Sequence, residues 1–321
     1  MMGLYSPGEL MVTEVTDEDG NISYEFKDKL DHVILERNVS GNERYDTYYV
    51  YDSKDNLRYV LPPKLSESAV AYLDSSDAIR NIGYVYRYDN HNRCIYKKLP
   101  GAEPIYYIYD DADRVIFKQD GNQRQKGEWS FSIPDVFGRP VLEGLCKNSF
   151  NNYASALNGK VVNAVADYDG VISLAGYSVN EVSLDSARVL VANYYDDYAF
   201  LELDEFADSG LEYANDFPSE YRTRWTDGGS PCHSKNLLTG SLVAVLDEDD
   251  SIEGYRKTAC YYDYRQRPVV SYEEMPDGGR NRYARAYDYL GNLISEWGVT
   301  YNTQYGAIYE YDSYYCQSDR S

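Results

Sequence analysis

The sequence predicts an all-β fold in which antiparallel β-hairpins repeat and pair into one elongated sheet that curves or spirals. Three observations predict it. An eight-residue phrase opening on Tyr-Asp, or once on Pro-Asp, occurs six times, three of the five intervals between successive copies are 21 to 25 residues, and the chain has 37 Tyr against 8 Phe. Such a period holds about two strands with their turns, and tyrosine suits a surface that is apolar on one side and wet on the other. Because one hairpin cannot bury its own apolar face, consecutive hairpins are expected to pair side by side.

Weaker copies at Asp17 and Asp28 precede the six, and the second position of the phrase is always aspartate. Its carboxylate can close an Asx-turn by accepting hydrogen bonds from backbone N–H groups two residues on. The fifth position is Gly, Asn or Asp in five of six copies, and these residues enter the left-handed region at least cost, as a tight turn or G1 bulge requires. The predicted turn residues are Asp28, Asp52, Asp89, Asp110, Asp135, Asp263 and Asp288, with Gly138 and Gly291 at the fifth position.

The first position is tyrosine in five copies, and alternating strand formers precede it. Tyrosine that recurs directly before the turn aspartate indicates more than ordinary β-propensity. We expect these rings to stack along the sheet, and they are also the candidate binding residues if the surface takes a ligand. They are Tyr51, Tyr88, Tyr109, Tyr262 and Tyr287.

The repeats divide the chain into three parts. Residues 1–146 form a hairpin array, with an interruption at about 64–80 that predicts a short inserted helix near 66–79, capped by Ser66. Residues 147–236 have looser turns but keep period-2 patterning, which indicates a degenerate β region. Residues 237–321 return to the repeat. Because both ends are repeat-like, we expect the chain to be a piece of a longer array.

Composition excludes several classes of protein. The net charge of −22 argues against nucleic acid and against anionic membrane surfaces as partners. No stretch approaches the roughly 18 apolar residues of a membrane span, and the first residues lack the basic and apolar regions of a signal peptide. The five cysteines are distant and include no CxxC pair. Zinc and thioredoxin-like sites are therefore disfavoured, and unpaired thiols are expected.

No catalytic residue, metal ligand or cofactor site is predicted. Acidic pairs such as Asp110-Asp111 and Asp196-Asp197 resemble the paired carboxylates of a glycosidase. With 53 acidic residues, however, such pairs arise by chance, and the recurring aspartate already has a role in the turn. The acidic run Asp17–Asn21 fails the EF-hand pattern because Ile22 stands where that loop needs glycine. It is expected to be a hairpin turn.

The phrase resembles the YD repeat of RHS-repeat proteins, since Tyr-Asp is followed by Gly, Asn or Asp and then Arg or Asn. The stretches 51–63, 98–104 and 127–140 look most like RHS-type proteins of Bacteroidetes. The resemblance covers about two thirds of the chain. It implies a long spiralling sheet of hairpins that forms part of a hollow shell. In toxin members of the family the shell encloses a C-terminal effector, and other members are large cell-surface recognition proteins.

The expected function is therefore a non-enzymatic structural segment of an RHS/YD-repeat shell or scaffold that encloses or presents a C-terminal effector. Its expected partners are the other repeats of a longer chain and the enclosed effector domain, and the family implies secretion or the cell surface. The alternative from a different class is a cell-surface carbohydrate-binding or adhesion module that holds surface glycans on rows of exposed tyrosines. A glycosidase is the third possibility. Nucleic acid and membrane insertion are not expected.

Overall fold

The computed structural model describes residues 5–66, 77–168, 174–214, 218, 221, 234–302 and 307–314. Within these ranges the protein consists almost entirely of antiparallel strands, with three short α-helices and three short 3₁₀ turns. The predicted all-β fold of antiparallel hairpins is confirmed. The chain forms two compact units, Met1–Trp129 with Asn148–Val161 and Ser130–Lys147 with Val162–Ser321.

The first unit is a meander in which each strand pairs antiparallel with the next along the chain. Alternating Tyr, Val and Ile favour the strands, and Asp-led turns end most of them. The strands are β1 (Met11–Thr16), β2 (Ile22–Lys27), β3 (Val33–Ser40), β4 (Glu43–Tyr51), β5 (Leu57–Leu61), β6 (Tyr84–Tyr88), β7 (Cys94–Lys98), β8 (Ile105–Tyr109) and β9 (Val115–Gln119).

Helical structure interrupts the first unit at two places. The interruption after β5 contains α1 (Pro63–Ser66) and α2 (Asp77–Ile82), while residues 67–76 of the predicted inserted helix lie outside the described residues. A further helix, α3 (Gly121–Lys126), follows β9 and was not predicted. Its signal is present in the sequence, because Asp120 and Gln123 form a capping box and Gly127 ends the helix at φ 67°.

The first unit has two apolar centres. One contains Tyr59, Leu61, Leu65, Ile79 and Val85, so the helices beside β5 help to bury it. The other lies on β9, where Ile116 and Phe117 are both completely buried. The Phe117 ring packs 5.0 Å from that of Phe150, which meets Trp129 edge to face at 5.3 Å.

The second unit repeats the meander. Its main sheet pairs β10 with β11, β11 with β14, and each later strand with the next, while β12 and β13 form a separate hairpin. The strands are β10 (Trp129–Pro134, of which Ser130 onwards belongs to this unit), β11 (Pro140–Cys146), β12 (Ala164–Ala166), β13 (Tyr177–Val179), β14 (Arg188–Tyr195), β15 (Leu238–Leu246), β16 (Ile252–Tyr262), β17 (Pro268–Glu274), β18 (Arg280–Tyr287), β19 (Leu293–Asn302) and β20 (Ala307–Tyr314).

An aromatic cluster forms the core of the second unit beside β14. Tyr194 is completely buried, stacks on Phe200 at 4.5 Å and meets Phe206 edge to face at 5.5 Å. The Tyr194 hydroxyl donates to the Ala175 carbonyl at 2.9 Å, which satisfies its polar end. Phe200 and Phe206 come from the irregular part of the chain, so that part contributes core side chains as well as loops.

Candidate functional site

The repeated turns share one hydrogen-bond pattern, seen clearly at Asp110 between β8 and β9. The Asp110 N–H donates to the Arg114 carbonyl at 3.0 Å, and the Asp113 N–H donates back to the Asp110 carbonyl at 3.2 Å. The Asp110 Oδ1 accepts from the backbone N–H groups of Ala112 and Arg114 at 3.0 and 3.1 Å. Asp113 has φ 60°. The turn is therefore a type I turn closed by a G1 bulge, with the aspartate side chain satisfying two backbone donors.

The other predicted turn residues occupy the same geometry. In each copy the aspartate N–H and the sixth-position carbonyl are 2.9 to 3.0 Å apart, and the aspartate Oδ1 accepts at least two backbone N–H groups. The fifth-position residues all have positive φ, from 60° to 101°. They are Asp31, Asp55, Asn92, Asp113, Gly138, Gln266 and Gly291.

The sixth residue of the phrase completes each turn. Arg93 Nε donates to Asp89 Oδ2 at 2.7 Å, and Arg139 and Arg267 make the same bond at 2.6 and 2.7 Å. Asn56 and Asn292 use their side-chain amides instead. Both carboxylate oxygens are therefore occupied within one turn. The recurrence of Arg or Asn after the left-handed residue is the sequence signal of this partner.

These hydrogen bonds perturb the titration of several turn aspartates. Burial opposes ionisation of Asp89, but the Arg93 backbone N–H and guanidinium outweigh it and hold the pKa of the carboxyl below its usual value. At Asp288 the side-chain amide of Asn292 is the main cause of a lowered pKa. The carboxylates of Asp89 and Asp288 are thus stabilised in their charged form by the turn itself.

Where a tyrosine precedes the turn aspartate, it links consecutive hairpins. Its hydroxyl donates to the carbonyl of the residue that follows the preceding turn, so one hairpin is hydrogen-bonded to the next through a side chain. Sequence analysis did not predict this inter-hairpin bond. The pairs are Tyr51 to Val33 (3.3 Å), Tyr88 to Leu57 (3.0 Å), Tyr109 to Cys94 (3.1 Å), Tyr195 to Pro140 (3.3 Å), Tyr262 to Leu238 (2.7 Å) and Tyr287 to Pro268 (2.9 Å).

The sixth residue of one turn also packs against the tyrosine of the next. The guanidinium carbons of Arg93, Arg139 and Arg267 lie 5.1, 4.4 and 4.6 Å from the ring centroids of Tyr109, Tyr195 and Tyr287. His32 stacks on Tyr51 at 4.5 Å in the equivalent place. Each contact is a cation–π or ring-stacking interaction. Together with the hydroxyl bond it forms what we call the inter-hairpin clip.

The clip continues through the irregular part of the chain. The β14–β15 hairpin is closed by a hydrogen bond from the Asp196 N–H to the Leu237 carbonyl at 3.2 Å. Asn236 has φ 67° and donates its N–H to Asp196 Oδ1, although these residues are 40 positions apart. Arg139 of the preceding turn pairs with the Asp196 carboxylate at 2.8 Å. This hairpin is therefore a repeat turn with a long insertion inside it.

The acidic run Asp17–Asn21 adopts the same turn, with the Asp19 and Asn21 N–H groups donating to Asp17 Oδ1 at 3.0 and 2.8 Å. Among the described residues no group of three or more His, Cys, Asp or Glu could hold a metal ion. The described part of the chain likewise contains no helix that is both long and apolar enough to span a membrane. Cys94 and Cys260 are free thiols, Cys146 is buried, and the other two cysteines lie outside the described residues.

No protein-family model and no curated protein matches the sequence. Among solved structures, the crystal structure of TcdB2-TccC3-TEV aligns with 90 % of this chain at 11 % identity and a TM-score of 0.39. The crystal structure of TcdB2-TccC3 without its hypervariable C-terminal region aligns with 90 % at 10 % identity and a TM-score of 0.39. This chain spans 12 % of the length of each of those chains.

Proposed function

We propose that this chain is a non-enzymatic structural segment of an RHS/YD-repeat wall, which encloses or presents another region of polypeptide, such as a C-terminal effector, in a secreted or cell-surface protein. The observation that carries the proposal is the inter-hairpin clip. It uses the Tyr-Asp phrase itself, and its members face other residues of the repeat rather than a substrate.

The chemistry of the clip supports a scaffold. The hydroxyls of Tyr88, Tyr109 and Tyr287 donate to backbone carbonyls, and the turn carboxylates accept hydrogen bonds from their own turns. A catalytic carboxylate must instead be available to a substrate, either as an acid or as a nucleophile. The recurring Tyr joins consecutive hairpins and the recurring Asp closes its own turn, and both roles are those of a scaffold.

Limited proteolysis of the native protein that contains this segment tests enclosure, with the released peptides identified by mass spectrometry. The expected result is that polypeptide outside the repeats resists protease until the repeats unfold. Phe117→Ala, which removes a completely buried ring, should speed its cleavage. Val15→Ala, at a site 60 % exposed, is the matched control and should leave the cleavage rate unchanged.

Two outcomes would contradict the proposal. One is cleavage of the other polypeptide at the same rate with and without an intact repeat array. The other is turnover of a glycoside by the purified chain that disappears on replacing one particular carboxylate, because a wall has no catalytic residue to lose.

The second candidate function, carbohydrate binding, is favoured by one observation at consecutive turns of the second unit. Tyr264 and Tyr289 stand at the third position of their phrases and are 40 % and 78 % exposed. Arg265 Nη1 donates to the Tyr289 carbonyl at 2.5 Å and so connects the two turns. Exposed aromatic rings on a fixed backbone are suitable platforms for sugar rings.

A glycan array probed with the whole chain tests this second function. Binding that is lost in Tyr289→Ala and in Tyr264→Ala would support it. Leu290→Ala is the control, because Leu290 is also exposed, at 67 %, but carries no ring. Equal loss in all three variants, or no glycan bound by the wild type, would exclude these rings as a carbohydrate site.

A further inference from the structure

Arginines of the first unit are mostly neutralised by carboxylates at short distance. Arg37 pairs with Asp46 at 2.7 Å, and Arg114 pairs with Asp110 at 2.6 Å. This is the expected arrangement in a chain that carries a net charge of −22. A place where basic side chains outnumber acidic ones is therefore unusual in this molecule.

In one cleft of the first unit, basic side chains outnumber acidic ones. Its volume is about 490 Å³, and it lies between the end of α2, strands β6 and β7, and the loop that leads to β8. Three basic side chains line it, Arg80, Arg87 and Lys98, against a single acid, Glu103. The basic residues come from three different elements, so only the fold brings them together.

Lys98 is the most informative of these residues. It is only 8 % exposed, and its ammonium makes one hydrogen bond, to the Leu99 carbonyl at 3.3 Å. Within the described residues no carboxylate lies within ion-pair distance of it. A buried ammonium is costly unless a negative charge compensates it. The cleft beside it is the place from which such a charge can come.

Two guanidinium groups border the same space. Arg87 is exposed, lies 4.9 Å from the centroid of the Tyr96 ring, and has no ion-pair partner among the described residues. Arg124 lies 4.6 Å from the centroid of Tyr106, a lining residue. Its Nη1 is buried and has no hydrogen-bond partner in the described part of the chain. Arg87 is thus a donor beside the buried ammonium, and Arg124 adds a second positive charge nearby.

The same guanidinium groups act on one side chain of the cleft, Tyr96. Burial raises the pKa of the Tyr96 hydroxyl, while the guanidinium groups of Arg87, Arg124 and Arg80 each act to lower it. All three positive charges therefore reach one lining side chain. The nearest acid to Arg124 is Glu103 at 3.7 Å, and its side chain is 72 % exposed, so it neutralises the cleft weakly.

We propose that this cleft binds a small, multiply charged oxyanion, a compound that carries phosphate or carboxylate groups. Guanidinium forks match both kinds of group in geometry, and an ammonium adds a point charge. The volume lies within the range of small-molecule sites. The bound anion supplies the negative charge that Lys98 lacks. The proposal is independent of the scaffold function.

Isothermal titration calorimetry of the whole chain at low salt tests the proposal, with inorganic pyrophosphate and with citrate as separate probes. Low salt is needed because exposed charges are screened at higher ionic strength. We expect saturable binding with one site per chain. Arg87→Gln should weaken it by about tenfold, since a hydrogen bond to a charged group is lost. Lys98→Met should abolish measurable binding.

Lys118→Gln is the control, because Lys118 is an exposed cation of the same unit outside the cleft. It should change the affinity by less than about twofold, as expected of a distant surface charge. Binding of pyrophosphate alone would identify a phosphate compound, and binding of citrate alone a carboxylate. No saturable binding of either probe, or equal weakening by Lys118→Gln and Arg87→Gln, would overturn the proposal. If Lys98→Met does not fold, the affinity of the Arg87→Gln variant still tests the proposal, because Arg87 is exposed.

Discussion

Two hairpins of the first unit contain the same turn but sit in different surroundings. In the β1–β2 hairpin, Asp17 Oδ1 accepts the N–H groups of Asp19 and Asn21. In the β8–β9 hairpin, Asp110 Oδ1 accepts the corresponding two. Every residue of β1 is exposed. On β9, by contrast, Phe117 is completely buried.

The comparison separates what a turn specifies from what stabilises it. The turn chemistry is local, since the aspartate, the left-handed residue and the sixth residue all lie within five positions. The stability of the hairpin depends on the surface that its strands bury and on the clip to the neighbouring hairpin. The same phrase therefore defines the same turn in each hairpin, but its contribution to the free energy of unfolding is expected to differ greatly from one hairpin to another.

The largest difference should come from truncating the strand side chains. Phe117→Ala removes a completely buried ring that packs 5.0 Å from Phe150, and we expect it to lower the free energy of unfolding by about 4 kcal/mol. Val15→Ala on β1 should have no measurable effect, because Val15 is 60 % exposed. Urea denaturation of both variants measures the difference. Equal losses would show that β1 is packed as tightly as β9 in solution.

The second largest difference in stability is expected between the turn aspartates of the two hairpins. Asp110 is completely buried and its Oδ2 accepts two guanidinium N–H groups from Arg114 at 3.1 and 2.6 Å. Asp110→Ala should therefore cost about 3 kcal/mol, because it leaves backbone donors and a cation without their partner. Asp17→Ala should leave the global denaturation midpoint unchanged and increase hydrogen exchange only at its own turn. A large global loss from Asp17→Ala would contradict the comparison.

The clip distinguishes the two hairpins further. Tyr109 precedes Asp110 and donates its hydroxyl to the Cys94 carbonyl at 3.1 Å. The β1–β2 turn cannot receive a tyrosine hydroxyl in this way, because the residue before Asp28 of the next turn is Lys27. Tyr109→Phe should cost about 1 kcal/mol, the usual net contribution of one hydrogen bond. Tyr107→Phe is the control on the same strand, since the Tyr107 hydroxyl has no hydrogen bond in the described part of the chain. Equal costs for the two variants would remove the clip as a stabilising contact.

Much of the fold could be predicted from sequence because the turn is a local code. Aspartate, a residue that tolerates positive φ and a following Arg or Asn recur within one short phrase. The β14–β15 hairpin could not be predicted, since Asp196 and Asn236, which close it, are 40 positions apart. The inter-hairpin clip also escaped prediction, because it joins residues of consecutive repeats whose spacing varies.

The basic cleft could not be predicted from the sequence either. Arg80, Arg87 and Lys98 show no motif, and they meet only because a helix end and two strands pack around one space. The overall negative charge even pointed away from an anion site. A net charge describes the whole chain, whereas a binding site depends on the few charges that the fold brings together.

The smallest expected effect is a pH dependence that separates Asp89 from Asp17. Burial opposes ionisation of Asp89, yet the hydrogen bonds from Arg93 hold its pKa below the usual value. An aspartate with a lowered folded pKa contributes stability above its unfolded pKa of about 3.9 and loses it as the pH falls through the folded value. The stability gap between wild type and Asp89→Asn should therefore be constant above about pH 5 and shrink below about pH 4.

Asp17→Asn provides the matched test on the exposed hairpin. The pKa of Asp17 is also lowered, mainly by the side-chain amide of Asn21. Residues 17–20 and every residue of β1 are exposed. The hairpin can therefore open without unfolding the unit, and its titration is not coupled to the global transition. Urea midpoints at pH 6, 4 and 3 should coincide for wild type and Asp17→Asn. A gap for Asp89→Asn that stays constant or widens on acidification would mean that the Arg93 contact does not stabilise the folded carboxylate.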